Sequence, residues 1–337
     1  MTTTILVTGI AGFLGSAYAR HVLETTDWSI VGLDRIDEAA SLSRVPSPHW
    51  GRVKFIWHDL RAAINPAHHE ALRQRFRYVV HFAAASHVDR SVKDPLGFIM
   101  DNVVGTANLL EFVRAMPETP EKILHFSTDE VFGSADPNVE FGPYAAHHAM
   151  NPYAASKAAA EALIPAWATT YGLPLVVTHC TNAYGPGQYA EKFVGLCTSL
   201  VRKGATVQIH ARNGEPSSRY YIHSSDVASA VQTILEKGGT MRDRKSGKFN
   251  IGSAEERSNL FVAKSIAMAL GKELRYELVD NVASRPRHDQ RYAVDTSALR
   301  ALGWEERVDF ATGLAETVRS YATTSASASS VAPGPSR

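Results

Sequence analysis

At 337 residues, with 45% hydrophobic and 20% charged side chains, the chain has ordinary globular composition and length for one large domain or two modest ones. A formal net charge of +1 supplies no global field for nucleic acid or an acidic membrane, so an anionic ligand must be met by a few local cations. Two cysteines, Cys180 and Cys197, exclude a disulfide framework and read as small buried side chains in a reducing compartment.

The first strand-like run begins almost at the initiator methionine, with no basic or apolar leader ahead of it. No run approaches the roughly 18 apolar residues that span a bilayer. A soluble cytoplasmic protein without membrane or nucleic-acid partners is expected. In chain order, the β-branched runs 5–8, 29–33, 53–57, 78–82, 122–126 and 175–179 read as strands, separated by amphipathic stretches such as 16–24, 69–75 and 102–116. Continuous apolar strands joined through helices specify a parallel sheet covered on both faces. The fold class expected is therefore α/β, a Rossmann-type doubly wound sheet with a smaller mixed α/β C-terminal lobe. Further on, 222–237 and 259–270 read as helices with a strand at 248–251 between them. Residues 1–184, with a return segment near 222–252, are expected to form the dinucleotide-binding domain. Residues 185–221 and 253–322 would form the substrate lobe, and the Ser/Ala/Pro/Gly-rich 323–337 a disordered tail.

Directly after the first strand stands Thr8-Gly9-Ile10-Ala11-Gly12-Phe13-Leu14-Gly15. Glycines let this backbone turn sharply and approach a pyrophosphate, while the following helix start offers unpaired N–H groups. The second strand ends in Gly32-Leu33-Asp34, about 20 residues beyond the loop, where a carboxylate takes the adenosine ribose and repels a 2′-phosphate. NAD is therefore expected over NADP, although Arg35 next door is suited to a 2′-phosphate. At the third strand end, Asp59 before Leu60 reads either as an adenine contact or as a helix N-cap. Phe82, Ala83 and Ala84, at the end of the fourth strand, complete the expected cofactor contacts.

Asn151-Pro152-Tyr153-Ala154-Ala155-Ser156-Lys157 opens a helix with proline in its first turn. Tyr153 and Lys157, four apart, share a face, and a nearby ammonium favours a phenolate that can accept a sugar hydroxyl proton. Upstream, Thr128-Asp129-Glu130 follows a buried strand at the carboxyl edge where such folds bind ligands. Two adjacent carboxyl groups point to proton transfers beyond simple dehydrogenation, one group as acid and one as base, unless one merely caps a turn.

These motifs resemble those of the extended short-chain dehydrogenase/reductase superfamily, and within it the dTDP-glucose 4,6-dehydratases and related NDP-hexose dehydratases. The resemblance runs from about residue 4 to 321. It rests on the glycine loop at 8–16, Ala-Ala-x-Ser-His-Val-Asp-Arg-Ser at 83–91, Ser-Thr-Asp-Glu-Val-Phe-Gly at 127–133 and Pro-Tyr-x-x-Ser-Lys at 152–157. Asn182-x-Tyr-Gly-Pro, Glu191-Lys192, Asn250-Ile-Gly and Arg-Pro-x-His-Asp-x-Arg-Tyr at 285–292 add to it. The resemblance implies that Tyr153, helped by Lys157 and Thr128, takes the C4 hydroxyl proton while C4 hydrogen passes to NAD. Glu130 would then remove the C5 proton and Asp129 protonate the departing C6 hydroxyl. It also implies substrate contacts from Ser86, Thr128, Asn182, Lys192, Arg219, Asn250, Arg285 and His288, and a homodimer paired through helices near 102–116 and 153–171.

The chain departs from the family pattern at Ala85, Ala183, 213–216, 219–226, Ser284 and Arg287, mostly where sugar or nucleotide would lie. The reaction class is thus firmer than the substrate's name. Another NDP-sugar enzyme (4-epimerase, 5,6-dehydratase or decarboxylase) and a non-catalytic NAD-binding regulator are the alternative readings. The adjacent pairs His68/His69 and His147/His148 lack zinc-ligand spacing, so no metal is expected.

Overall fold

The computed structural model describes residues 3–45, 51–242, 246–280 and 290–328. Its strands are β1 (Thr4–Thr8), β2 (Ser29–Asp34), β3 (Val53–Trp57), β4 (Tyr78–His81), β5 (Lys122–Thr128), β6 (Leu175–Cys180), β7 (Asn182–Tyr184), β8 (Val207–Arg212), β9 (Glu215–Pro216), β10 (Ser218–His223), β11 (Lys248–Ile251), β12 (Glu256–Ser258) and β13 (Tyr276–Asp280). The helices are α1 (Phe13–Thr25), α2 (Val88–Lys93), α3 (Pro95–Ile99), α4 (Gly105–Arg114), α5 (Pro152–Tyr171), α6 (Phe193–Arg202), α7 (Ser224–Lys237), α8 (Asn259–Ala269), α9 (Ser297–Arg300) and α10 (Phe310–Ala328). A π-helical stretch, Met100–Val104, joins α3 to α4.

Seven parallel strands form one sheet in the order β11-β6-β5-β4-β1-β2-β3, a Rossmann-type doubly wound sheet. Alternation along each strand feeds two cores. Ile5 and Val7 pack with Tyr18 and Val22 of α1 and with Val231 and Ile234 of α7. Leu6 turns to the other face, with Leu109 and Leu110 of α4 and Ile164 of α5. Each such fully buried aliphatic side chain contributes roughly 1.5–3 kcal/mol. β11 arrives late in the sequence yet closes the sheet edge beside β6. A third core gathers Tyr184, Cys197, Ile209, Tyr221, Ile266 and Phe310 around two three-stranded sheets, β12-β10-β7 and β13-β8-β9.

Four local expectations are corrected. Residues 69–75 form no α-helix; extended His69 (φ −141°) separates two short 3₁₀ turns, Pro66–His68 and Glu70–Leu72. Ile222 and His223 end β10 rather than start a helix, because β7 pairs with that strand through His223. The expected disordered tail begins too early, since α10 continues to Ala328. Its remaining residues, 329–337, lie outside the described residues. Finally, Pro95–Arg114 is a continuous 20-residue helix, long and apolar enough by length and composition alone to cross a membrane. Leu109, Leu110, Phe112 and Val113 nevertheless sit in the sheet core.

Candidate active site

One large cavity of about 660 Å³ runs over the carboxyl edge of the sheet. At one end lies the glycine loop. Gly9 has φ +71°, and an added Cβ would stand 2.6 Å from the Ala83 nitrogen; at Gly15 it would strike the Gly9 carbonyl. Side chains are thus excluded where the loop packs on the segment after β4 and on itself. No side chain caps α1 at Gly12 among the described residues, and Phe13, Leu14 and Gly15, whose first-turn N–H groups have no intrahelical acceptor, line the cavity. An anion such as a pyrophosphate fits this cradle.

Asp34 stands at the end of β2, its Oδ2 accepting from the Ala11 N–H and its Oδ1 from that of Ile36, both at 2.9 Å. Each oxygen keeps a further lone pair for a ribose hydroxyl. Arg35 is engaged by acids: Asp101 at 2.5 and 2.8 Å, Asp37 at 3.4 Å and Asp59 at 3.8 Å. The Asp101 hydrogen bond, working against burial, raises its guanidinium pKa. A 2′-phosphate would meet Asp34, Asp37, Asp59 and Asp101 together, which favours NAD. Asp59 caps no helix; it accepts from the Arg61 N–H (3.0 Å) and pairs with the Arg61 side chain (2.5 Å). Asp59, Leu60, Phe82, Ala83 and Ala84 line the same cavity.

Further along lie Thr128, Asp129, Glu130, Tyr153 and Lys157, all on the cavity wall. β5 ends at Thr128, whose hydroxyl donates to Asp129 Oδ1 and accepts from the Glu130 N–H, both at 3.3 Å. Asp129 is 4% exposed, and its Oδ2 has no hydrogen-bond partner among the described residues. Burial first and the neighbouring Glu130 second push its carboxyl up to about 8. It therefore keeps its proton at neutral pH.

Asn151 caps α5, accepting from the Ala154 N–H at 2.8 Å, and so sets the turn that carries Tyr153. The Lys157 ammonium donates to the Phe126 carbonyl at 2.7 Å. Burial lowers Lys157 to about 8, with Glu161 one turn on working the other way. A phenolate at Tyr153 does not follow from Lys157 alone. Burial, then Glu130, raise the Tyr153 pKa well above its ordinary value, and hydrogen bonding to Thr128 only partly offsets this. Opposing positive charge has to come from what binds beside it.

Ser86, Asn182 and Lys192 also line the cavity, and the Lys192 ammonium reaches the Ser86 carbonyl at 2.5 Å. Two expected substrate residues do not. Asn250 is wholly buried, donating to the Phe141 (2.8 Å) and Asp295 (3.0 Å) carbonyls and meeting His179 at 3.0 Å. It is a structural tie across the edge strand β11. Arg219 is 4% exposed, bound to the Ser218 and Gln290 carbonyls and stacked on Tyr292 at 4.3 Å. Its charge acts on Asp129 from behind the wall. Arg285 and His288 lie outside the described residues.

Residues the motifs did not single out also shape the cavity. Arg90 pairs with Glu191 (2.8 Å) and Glu38 and stacks on Tyr189, tying the loop after β2 to the segment before α6. Its place in the 83–91 motif was a usable signal. Asn102, in the π-helical stretch, bonds both the Ala85 backbone (2.8 and 3.0 Å) and Ser156 Oγ (2.8 Å), locking α5 to the loop after β4.

Behind α5, the ligand atoms of His147, Glu161 and His179 lie within 4.8 Å of one another. Sequence adjacency pairs His147 with His148 instead. The Lys248 ammonium already sits 2.6 Å from the Glu161 carboxylate, so the positive charge a metal would bring is supplied by the protein.

The family model described as GDP-mannose 4,6 dehydratase matches residues 6–317. A dTDP-glucose 4,6-dehydratase of Escherichia coli K12 is 37% identical, over 94% of this chain and 92% of its own length. A trifunctional UDP-glucose 4,6-dehydratase/UDP-4-keto-6-deoxy-D-glucose 3,5-epimerase/UDP-4-keto-L-rhamnose-reductase of Arabidopsis thaliana is 36% identical over 94% of this chain. The chain spans about half the length of that relative, 46%. Among solved structures, the Streptomyces venezuelae dTDP-glucose 4,6-dehydratase DesIV, with NAD and TYD bound, aligns with a TM-score of 0.84 at 31% identity. The alignment covers 96% of this chain and 98% of that one. The UDP-glucose 4-epimerase of Thermus thermophilus, in complex with NAD, aligns at 0.81 with 29% identity, covering 95% and 99%.

Proposed function

The chain belongs to the GDP-mannose 4,6 dehydratase family, and from that premise we propose that it is an NAD-dependent NDP-hexose 4,6-dehydratase, most simply of the dTDP-glucose type. The observation that carries this reading is the sharing of one cavity by the glycine loop, Tyr153 and both acids. An epimerase needs the first two; water loss needs the acids as well.

Gly9, Gly12, Phe13, Leu14, Gly15 and Asp34 would hold NAD, with Tyr153 and Lys157 at its far end. When bound, NAD supplies a two-electron acceptor that takes hydrogen from C4 and returns it to C6, leaving no net redox change. Tyr153, assisted by Lys157 and Thr128 and held as phenolate by the positive charge of what binds beside it, accepts the C4 hydroxyl proton. The resulting ketone acidifies C5. Glu130 removes the C5 proton, the electron pair expels the C6 hydroxyl, and Asp129, holding a proton at neutral pH, delivers it so that water leaves. Glu130 then returns its proton to C5. Groups used in this way contribute about 10²–10⁴-fold each. Ser86, Asn182 and Lys192 are the described candidates for substrate contact, Lys192 as a cation for the diphosphate.

Leu96, Ile99 and Met100 are exposed on the helix beside α5 and support a homodimer through that face. Two free, buried cysteines fit a reducing cytoplasm. Incubation with dTDP-, UDP-, CDP- and GDP-hexoses tests the reading: loss of water to a 4-keto-6-deoxy sugar is expected. A product of unchanged mass and inverted C4 would make the protein an epimerase instead.

A further inference from the structure

Glu130 is gripped at a single oxygen from two distant parts of the chain. Asn151 Nδ2 donates to its Oε2 at 3.1 Å, and the Tyr292 hydroxyl donates to the same oxygen at 3.4 Å. The two donors come from different places: Asn151 from the turn that starts α5, Tyr292 from the segment after residue 289 that runs beside Ser218. Tyr292 is 6% exposed. Its ring lies under the Arg219 guanidinium at 4.3 Å, so its hydroxyl has little freedom to swing away. Asn151 is equally fixed, because its Oδ1 is spent on the Ala154 N–H and only its amide nitrogen is left to reach Glu130.

Building on the reading of Glu130 as the C5 base, we propose that Asn151 and Tyr292 are its positioning residues. They hold Oε2 and leave the other carboxylate oxygen, Oε1, to address C5. Neither touches the sugar in this role; they act through Glu130. The same asparagine caps the helix that carries Tyr153, so one side chain fixes the spacing between the group acting at C4 and the group acting at C5. Among the described residues Asp129 is held at Oδ1 by its sequence neighbour Thr128, and its unpartnered Oδ2 is left to release a proton to the departing hydroxyl.

The test uses the full chain with whichever of dTDP-, UDP-, CDP- or GDP-glucose the wild type dehydrates fastest. Asn151→Ser keeps a good N-cap but is too short to hold Glu130. Tyr292→Phe keeps the ring under Arg219 and removes only the hydroxyl. Both variants should unfold thermally close to the wild type and keep KM within about twofold. A misplaced reacting group costs up to about 100-fold, so a fall in kcat of between about 10- and 100-fold is expected. The deuterium isotope effect on kcat, measured with substrate labelled at C5, should grow in both variants because proton removal there becomes limiting. Asn151→Ser with wild-type kcat and an unchanged isotope effect would reduce Asn151 to a helix cap and overturn the proposal. So would Tyr292→Phe with an unchanged isotope effect. A wild type that dehydrates none of the four sugars removes the functional reading and this inference together, whereas an active wild type with unaltered variants removes the inference alone.

Discussion

Helix α5 carries two buried polar clusters, and they are built on opposite rules. At its start, Tyr153 and Lys157 face Thr128, Asp129 and Glu130, where one carboxylate oxygen has no partner among the described residues and pKa values are displaced by burial. One turn beyond Lys157, Glu161 is just as buried but fully met, by His179 (2.9 Å), Lys248 (2.6 Å) and His147 (3.3 Å). Burial alone would raise Glu161; the hydrogen bonds from His147 and His179 and the charges of His179 and Lys248 reverse this and hold it far below its ordinary range. The first cluster leaves its groups poised to change protonation, and the second is locked. Between these two clusters, incomplete satisfaction goes with a displaced carboxyl and complete satisfaction with a fixed tie.

The contrast can be broken at either end. Tyr153→Phe should lower turnover by about 10³-fold or more while the midpoint of denaturant unfolding barely moves. Substantial residual turnover would show that the start of α5 is not the reactive end. Glu161→Leu, by contrast, strands the Lys248 ammonium and should cost about 3–5 kcal/mol of stability in equilibrium denaturation. A fully stable variant would mean that the rear cluster does not hold β11 and α5 together. Asp129→Asn sharpens the comparison because it should move activity and stability in opposite directions. Turnover should fall by about 10²-fold. The folded carboxyl holds its proton up to about pH 8, whereas the unfolded one releases it near its ordinary value. Between those values the native state binds the extra proton, so wild-type stability falls as pH rises, and the asparagine variant should escape that loss. Thermal unfolding of both proteins at pH 6 and pH 9 checks the sign; a difference that does not grow with pH would contradict it. The smallest change is expected from His147→Ala. His147 lies on the partly exposed rim of the rear cluster, and its removal leaves His179 and Lys248 on Glu161. A loss of about 1 kcal/mol, read by the same denaturation, is expected.

Local chemistry in the sequence determined much of this protein. Continuous apolar runs set the strands of the large sheet, because a strand buried on both faces has no polar alternative. The glycine loop, Asp34 and the Thr128–Glu130 and Tyr153–Lys157 motifs were legible because each depends on residues a few positions apart. What only the tertiary structure decided were the meetings of distant segments. Asn250 turned out to tie β11 to the Phe141 and Asp295 carbonyls, since its neighbours come from across the chain. Arg219 is held behind the cavity wall by Gln290 and Tyr292, which no spacing rule brings to it. The height of the Tyr153 pKa was equally hidden: spacing reveals the helpful lysine, but desolvation is set by everything that packs around the ring. Periodicity encodes which face is buried. Whether a buried group finds a partner depends on the whole fold.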